Sequence, residues 1–353
     1  MEKTLYEKVR EKLDTYSVGM NATPDGVEMD ILKRLFEPDE AAIWLHLTEK
    51  LEPARVVAQR AEKTEEETDS LLQAMLRKGL LFGKKTGGGY FYAQAPFMHG
   101  LFEHRAMNMD ADLAKLLDRY FSGAFMPKDR SLRTIPIGSD LNAGKPVLPF
   151  DDVKNIIMKK DRIAVFPCAC AKHREVLGED CSMPTEVCMA FDFYADFYVN
   201  ELGWGRWVDR EEALTILIGA ERAGLVHQVG GNTGNTECIC NCCGDCCGVL
   251  RFYKRFPKPS LLAATNYFAV LDRELCTQCG VCIDRCPMEA ISDGEGTMLV
   301  NRDRCIGCGL CTSTCPAGAL ALEQKAEDKV FGPPKKFRFM RSSGEFEADV
   351  TGA

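Results

Sequence analysis

The feature that most constrains the fold is a cysteine pattern that occurs twice near the end of the chain. LDRELCTQCGVCIDRCPMEAIS is followed, at an offset of 29 residues, by VNRDRCIGCGLCTSTCPAGALAL. Each half is C-x2-C-x2-C-x3-C-P, a spacing in which a short loop wraps three thiolates around one face of an iron–sulfur cube while the fourth cysteine reaches elsewhere. Zinc takes four ligands and has no use for the third cysteine and the one before proline. The repeat therefore predicts two 4Fe–4S clusters.

This repeat resembles the bacterial two-cluster ferredoxin over about sixty residues. The resemblance implies a small α+β domain with pseudo-twofold symmetry, in which the two halves exchange their fourth ligands. One cluster is then held by Cys276, Cys279, Cys282 and Cys315, and the other by Cys305, Cys308, Cys311 and Cys286. Gly280, Gly307 and Gly309 fit loops whose backbone amides approach the cluster.

Cysteine is far more frequent here than packing requires, because the 353 residues include 18 cysteines. A disulfide framework needs an export signal and an oxidising compartment, whereas these thiols form tight C-x2-C, C-x-C and C-C groups without an apolar leader or membrane span. We expect a metal-binding cytoplasmic protein. Clusters held by thiolates add negative charge to the formal −8, which favours a basic protein partner over nucleic acid.

Ten further cysteines precede the repeat and fall into two groups. The first group, Cys168, Cys170, Cys181 and Cys188, has the right number of thiols for one more cube, although zinc is an alternative. The second group comprises Cys238, Cys240, Cys242, Cys243, Cys246 and Cys247. Adjacent cysteines on an extended chain point to opposite faces, so a turn at Gly244-Asp245 would gather some thiols and leave others free. The second group either completes a fourth cluster or shares one unusual site with the first.

The N-terminal part of the chain has the pattern of a winged helix at residues 25–93. Asp25 with Glu28, and Thr64 with Glu67, have capping-box spacing ahead of helical apolar patterns. Gly79 fits a helix end, and the segments Leu80-Leu81-Phe82 and Tyr90-Phe91-Tyr92 on either side of a turn at Gly83–Gly89 predict a hairpin. The expected recognition helix starts with four acidic residues between Glu65 and Asp69, and this charge opposes DNA binding.

These observations predict a multidomain α+β protein. We expect a winged-helix domain with following helices at 1–125, a cysteine-rich metal-binding domain at 126–260, a two-cluster ferredoxin domain at 261–325 and a polar tail at 326–353. This order resembles a group of uncharacterised multi-cluster 4Fe–4S proteins of anaerobes, a resemblance that implies no established activity.

The functional hypothesis is an electron-transfer protein or subunit that relays single electrons between redox partners. The sequence lacks the phosphate-loop motif G-x-x-x-x-G-K-[ST], a G-x-G-x-x-G between a strand and a helix, and the haem-attachment motif C-x-x-C-H. Sites for nucleotides, nicotinamide, flavin and attached haem are therefore unsupported. The expected partner is an oxidoreductase or flavoprotein subunit. A redox-sensing regulator that uses the winged helix, and a reductase with a substrate site in the six-cysteine segment, are the alternatives.

Overall fold

The computed structural model describes residues 3–15, 17–123, 125, 132–137, 148, 151–231, 236–330 and 332. All 18 cysteines lie within these ranges. Most of residues 126–150 and the polar tail beyond residue 332 lie outside them. None of the helices in the described residues is long and apolar enough to cross a membrane.

The N-terminal region combines five helices with a small sheet. Its elements are α1 (Leu5–Leu13), α2 (Val27–Leu35), α3 (Pro38–Trp44), β1 (Glu52–Pro53), α4 (Ala54–Ala61), α5 (Glu65–Arg77), β2 (Leu81–Thr86) and β3 (Gly89–Gln94). The sheet has the order β1-β3-β2, and β2 and β3 form an antiparallel hairpin. Assignment of this region to the winged-helix class stays a prediction.

The starts of α5 and α2 test the two capping boxes that the sequence predicts. Thr64 and Glu67 form the capping box that begins α5. The box predicted for Asp25 and Glu28 is wrong, because α2 begins after Gly26 in a left-handed conformation and has no side-chain cap. Both carboxylates instead lie within hydrogen-bond distance of the Thr23 hydroxyl, which has one proton to donate.

Two helices and an irregular turn lead into the middle of the chain. The turn spans Phe97–Leu101, and it is followed by α6 (Phe102–Arg105) and α7 (Ala111–Gly123). Within the turn, His99 has a φ of 58°, a left-handed conformation that costs a non-glycine residue free energy. This conformation is stabilised in part by Glu103, whose Oε2 accepts a hydrogen bond from the Gly100 amide at 3.0 Å.

The cysteine-rich region is built on a six-stranded antiparallel sheet. Its elements are β4 (Leu132–Thr134), α8 (Val153–Met158), β5 (Ile163–Pro167), α9 (Ala169–Val176), β6 (Glu186–Phe191), α10 (Asp192–Asp196), β7 (Arg206–Val208), α11 (Arg210–Ala223), β8 (Val226–Gly231), β9 (Thr236–Cys242), α12 (Gly248–Lys254) and α13 (Pro259–Leu262). The strand order is β4-β8-β9-β6-β5-β7. Met189 and Ile239 pack against Ile157 of α8 and Leu217 of α11 on one face of this sheet. The alternate residues of β6 and β9 therefore face the other side.

The C-terminal region repeats one short unit twice. It contains β10 (Tyr267–Leu271), α14 (Val281–Arg285), β11 (Ile291–Gly294), β12 (Thr297–Val300), α15 (Leu310–Ser313) and β13 (Leu320–Gln324). The outer strands β10 and β13 pair antiparallel, with Ala269 opposite Leu322. The helices α14 and α15 occupy equivalent positions in the two halves, as expected for an internal repeat of the sequence.

Direct contacts attach the C-terminal region to the cysteine-rich region. The Ile137 amide donates to the Cys308 carbonyl at 3.0 Å, next to the loop of the second repeat. The Arg285 guanidinium donates to the carbonyls of Glu221 and Arg222, at the end of α11, at 2.5 and 2.8 Å. The two regions therefore form a shared interface.

Candidate metal centres

The first four-thiol group of the C-terminal region lies at the protein surface. Burial raises the pKa of the Cys282 thiol, and the neighbouring charges of Cys279, Cys315 and Cys276 raise it further. These thiols come from both halves of the repeat and lie close enough to influence one another. Cys279 is exposed to solvent, whereas Cys282 is buried.

The second four-thiol group lies deeper in the domain. Burial raises the pKa of Cys308 to about 12, and the charges of Cys286 and Cys305 contribute to the shift. Burial likewise raises the pKa of Cys311, with contributions from Cys308, Cys305 and Cys286. A cavity of about 20 Å³ separates the thiols of Cys286, Cys305, Cys308 and Cys311, and its other walls are mostly apolar.

The backbone around these thiols is arranged for thiolate ligands. The Ala290 amide donates to Cys286 Sγ at 3.3 Å, and in the other half of the repeat the Ala319 amide donates to Cys315 Sγ at 3.2 Å. Gly307 has a φ of +66°, and a Cβ atom there would collide with the Tyr267 carbonyl. Amide donors to sulfur and a loop that only glycine fits are features of an iron–sulfur site, so these residues suit 4Fe–4S clusters.

Seven of the ten upstream cysteines line one cavity, which we call the thiol chamber. The chamber has a volume of about 70 Å³, and its cysteines are Cys168, Cys170, Cys188, Cys238, Cys240, Cys242 and Cys247. Six of them, which we call the ring, each alter the pKa of the next thiol in the order Cys168, Cys170, Cys247, Cys242, Cys240, Cys188 and back to Cys168. Cys238 joins the ring through Cys240. The structure thus combines thiols of both upstream groups in one site.

The local structure explains how these thiols converge. Cys238, Cys240 and Cys242 alternate along β9, so they lie on the same face of the sheet. Cys168 and Cys247 occupy the N-cap positions of α9 and α12. The pKa of each of these two thiols lies well below its usual range, mainly because neighbouring thiols donate to it, with backbone amides of the helix start contributing as well.

Polar side chains that the sequence analysis missed line the same chamber. They are His99, Glu103, Tyr194, Tyr198 and Glu237. Burial raises the pKa of Glu103 and of Glu237 to about 8. Burial also raises the pKa of Tyr198, as do the charges of Glu103 and of the chamber thiols Cys238, Cys240 and Cys188. Residues 99 and 103 belong to a segment without cysteines, so no sequence signal pointed to them.

The remaining three upstream cysteines form a separate group, which we call the outer triad: Cys181, Cys243 and Cys246. Their sulfur atoms all lie within 4.8 Å of one another. The hypothesis that Cys181 joins Cys168, Cys170 and Cys188 in one four-thiol site does not agree with this arrangement. Each adjacent pair in the six-cysteine segment is also divided, because Cys242 and Cys247 line the chamber while Cys243 and Cys246 belong to the triad.

His173, which follows the first cysteines of this region, is not among the residues that line the chamber. Its Nε2 lies 2.8 Å from the Ala114 carbonyl, and the side chain is buried against Phe102 and Phe121. Because a carbonyl can only accept, the imidazole nitrogen donates there. His173 therefore holds α9 against α7.

Residues 269–322 match the family described as a 4Fe-4S dicluster domain. The match supports iron–sulfur clusters in the C-terminal region and, with the many cysteines, suggests iron–sulfur electron transfer. No curated protein matches the chain. No solved structure matches it either.

Proposed function

We propose that this protein relays single electrons between redox partners through two 4Fe–4S clusters in its C-terminal region and a further cluster in the thiol chamber. The observation that carries the proposal is the grouping of eight thiols in the dicluster region into two sets, each drawn from both halves of the repeat. Iron–sulfur clusters held by such thiolates exchange one electron at a time.

The proposed ligands of the two C-terminal clusters are the thiols of the two sets. Cys276, Cys279, Cys282 and Cys315 hold the surface cluster, and Cys286, Cys305, Cys308 and Cys311 hold the deeper one. Cys282 also raises the pKa of Cys311 by its charge, so the two sets adjoin each other. Amides that donate to Cys286 and Cys315 stabilise the thiolate form of one ligand in each set.

The surface cluster is the proposed contact with an external redox partner. Cys279 is exposed, and the flanking apolar side chains of Leu275 and Val281 are 51% and 42% exposed. Large apolar side chains around an exposed ligand suit a protein interface. The net charge of −8, which thiolate-bound clusters make more negative, favours a basic partner at this surface.

The thiol chamber is the proposed place of the further cluster. A single metal ion uses four thiols at most, whereas the ring contains six and the chamber seven. The number of thiols favours a multi-iron cluster with ligands from both upstream groups over structural zinc in the chamber.

The chamber lining supports a second candidate function, a reductase whose substrate binds beside the ring. Glu103 and Glu237 have raised pKa values of about 8, and Tyr198 adjoins three chamber thiols. Groups that carry protons near neutral pH beside an electron carrier are what a proton-coupled reduction requires. A DNA-binding regulator has less support, since the exposed start of α5 carries Glu65, Glu66 and Glu67.

Anaerobic purification of the full chain, with iron and acid-labile sulfide analysis, tests the electron-transfer proposal. We expect about eight irons from the C-terminal region and at least about four more from the chamber. Dithionite reduction should produce low-temperature paramagnetic signals, and a one-electron viologen donor should reduce the protein without any other cofactor. Zinc in place of iron, or the absence of a paramagnetic reduced state, would refute the proposal.

A further inference from the structure

The outer triad has the geometry of a site for one metal ion. The Cys181 and Cys243 sulfur atoms lie 3.7 Å apart. A tetrahedral zinc ion with Zn–S bonds of about 2.3 Å separates its sulfur ligands by about 3.8 Å. An iron–sulfur cube spreads its thiolates farther, because each one binds a different iron atom at a corner of the cube. The spacing therefore fits a single ion and not a cube.

The local backbone has the form of a metal-binding turn. Cys243, Gly244, Asp245 and Cys246 make a C-x2-C turn directly after β9. The Cys246 amide donates to Cys243 Sγ at 3.2 Å, and this bond stabilises a thiolate there. Cys181 approaches from the loop between α9 and β6.

The triad leaves one coordination position for an external group. In the described ranges, no fourth histidine, cysteine or carboxylate joins the three sulfur atoms as a mutual neighbour. Cys181 is half-buried, and Asp180 and Ser182 on either side of it are exposed. Solvent therefore reaches this side of the group. Three protein ligands with one open position is the arrangement of reactive rather than structural zinc sites.

We propose that the outer triad binds one zinc ion through Cys181, Cys243 and Cys246, with water or an external thiol as the exchangeable fourth ligand. Soft thiolates and tetrahedral spacing select zinc over magnesium, calcium or manganese. This site is additional to the iron–sulfur clusters and does not depend on the electron-transfer proposal. It also accounts for the three upstream cysteines that do not line the chamber.

Two matched variants of the full chain separate this site from the chamber. Cys181→Ala removes a triad ligand, whereas Cys188→Ala removes a chamber thiol only seven residues away. In anaerobically purified protein, Cys181→Ala should lose about one zinc per chain and keep its iron. Cys188→Ala should lose iron and keep its zinc. Should Cys181→Ala fold poorly, Cys181→His supplies another zinc ligand and should retain the metal.

X-ray absorption at the zinc edge identifies the ligands without interference from iron. We expect three sulfur atoms at about 2.3 Å and one oxygen or nitrogen. Addition of a small thiol should convert the fourth ligand to sulfur. Wild-type protein without zinc, or loss of iron in Cys181→Ala, would overturn the site. Four sulfur ligands without added thiol would overturn the open position.

Discussion

Gly244 lies against Pro287, so that a Cβ atom added at Gly244 would be 3.1 Å from the Pro287 Cβ. Pro287 follows Cys286, a proposed ligand of the deeper cluster. Gly244 lies between Cys243 of the outer triad and Cys247 of the thiol chamber. The contact therefore brings the dicluster region next to the Cys243–Cys246 turn, which holds two ligands of the outer triad and is flanked by the chamber thiols Cys242 and Cys247.

The first prediction concerns the thiol chamber as one shared site. Cys168→Ser and Cys242→Ser remove thiols from opposite sides of the ring and from different segments of the chain. Because we place both in a single cluster, either variant should lose the same amount of iron, about four per chain or more. Iron and sulfide analysis measures this loss. Additive losses in the double variant would instead indicate two independent clusters.

A second prediction concerns the exchange of ligands between the halves of the repeat. Cys286→Ser should change the same cluster as Cys311→Ser. The charges of Cys286 and Cys305 contribute to the raised pKa of Cys311, which places all three thiols in the deeper set. Cys282 is closer to Cys286 in sequence than Cys311 is, but Cys282→Ser should change the other cluster. Mössbauer and paramagnetic resonance spectra of the reduced variants distinguish these outcomes. Identical spectra for Cys286→Ser and Cys282→Ser would contradict the exchange.

The third prediction concerns a glycine that lets two strands approach beside the chamber. Gly230 on β8 pairs with Cys238 on β9, and an added Cβ would be only 2.8 Å from Cys238 Sγ. Gly230→Ala should therefore displace this thiol and reduce the number of iron atoms in the chamber. The dicluster region should keep its iron, about eight atoms per chain.

Gly219 provides the matched control for this glycine. It is exposed on α11, and an added Cβ would meet no atom within 4 Å. Gly219→Ala should keep all iron and raise the free energy of unfolding by roughly 0.5–1 kcal/mol, since alanine favours a helix. Equal iron loss in both glycine variants would show that the strand contact does not matter.

A fourth prediction concerns acid stability. His104 is buried among Phe82, Phe197 and Tyr198, and its Nδ1 donates to the Gly79 carbonyl at 3.1 Å. Burial lowers its pKa from 6.5 to about 3. Between these values the unfolded chain binds one more proton than the folded chain, so the free energy of unfolding falls as pH decreases below 6.5, by about 1.4 kcal/mol per pH unit.

His104→Phe should remove this contribution to the pH dependence, although the lost hydrogen bond to Gly79 lowers stability at every pH. Anaerobic urea unfolding of both proteins between about pH 5.5 and 7 measures the two slopes. If the wild-type and variant slopes agree, another group is responsible for the acid sensitivity.

Sequence reasoning could predict those features that depend on short-range patterns. The repeat led to the dicluster region because eight cysteines and two prolines recur at a fixed offset, and the family match supports this conclusion. Thr64 and Glu67 marked the start of α5 because a capping box is local. Asp25 and Glu28 had the same spacing, but Thr23 competed for both carboxylates.

The chamber could not be predicted because its composition depends on tertiary structure. C-x-C spacing places Cys238 and Cys240 on one face only if that segment is a strand. Cys181 and Cys188 are close in sequence, which predicts a shared site. Cys188 lies in β6, however, and its side chain is on the sheet face that lines the chamber. His99 also lines the chamber, because its backbone adopts a left-handed conformation. No short-range sequence pattern predicts that conformation at this histidine.

The construction of the chamber walls also has a consequence for the N-terminal region. The chamber is lined by residues of the sheet strands β6 and β9, and also by His99 of the Phe97–Leu101 turn and Glu103 of α6. The chamber is therefore complete only when the N-terminal residues pack against the sheet. We expect the N-terminal region to be held less firmly in protein without the cofactor than in the loaded protein.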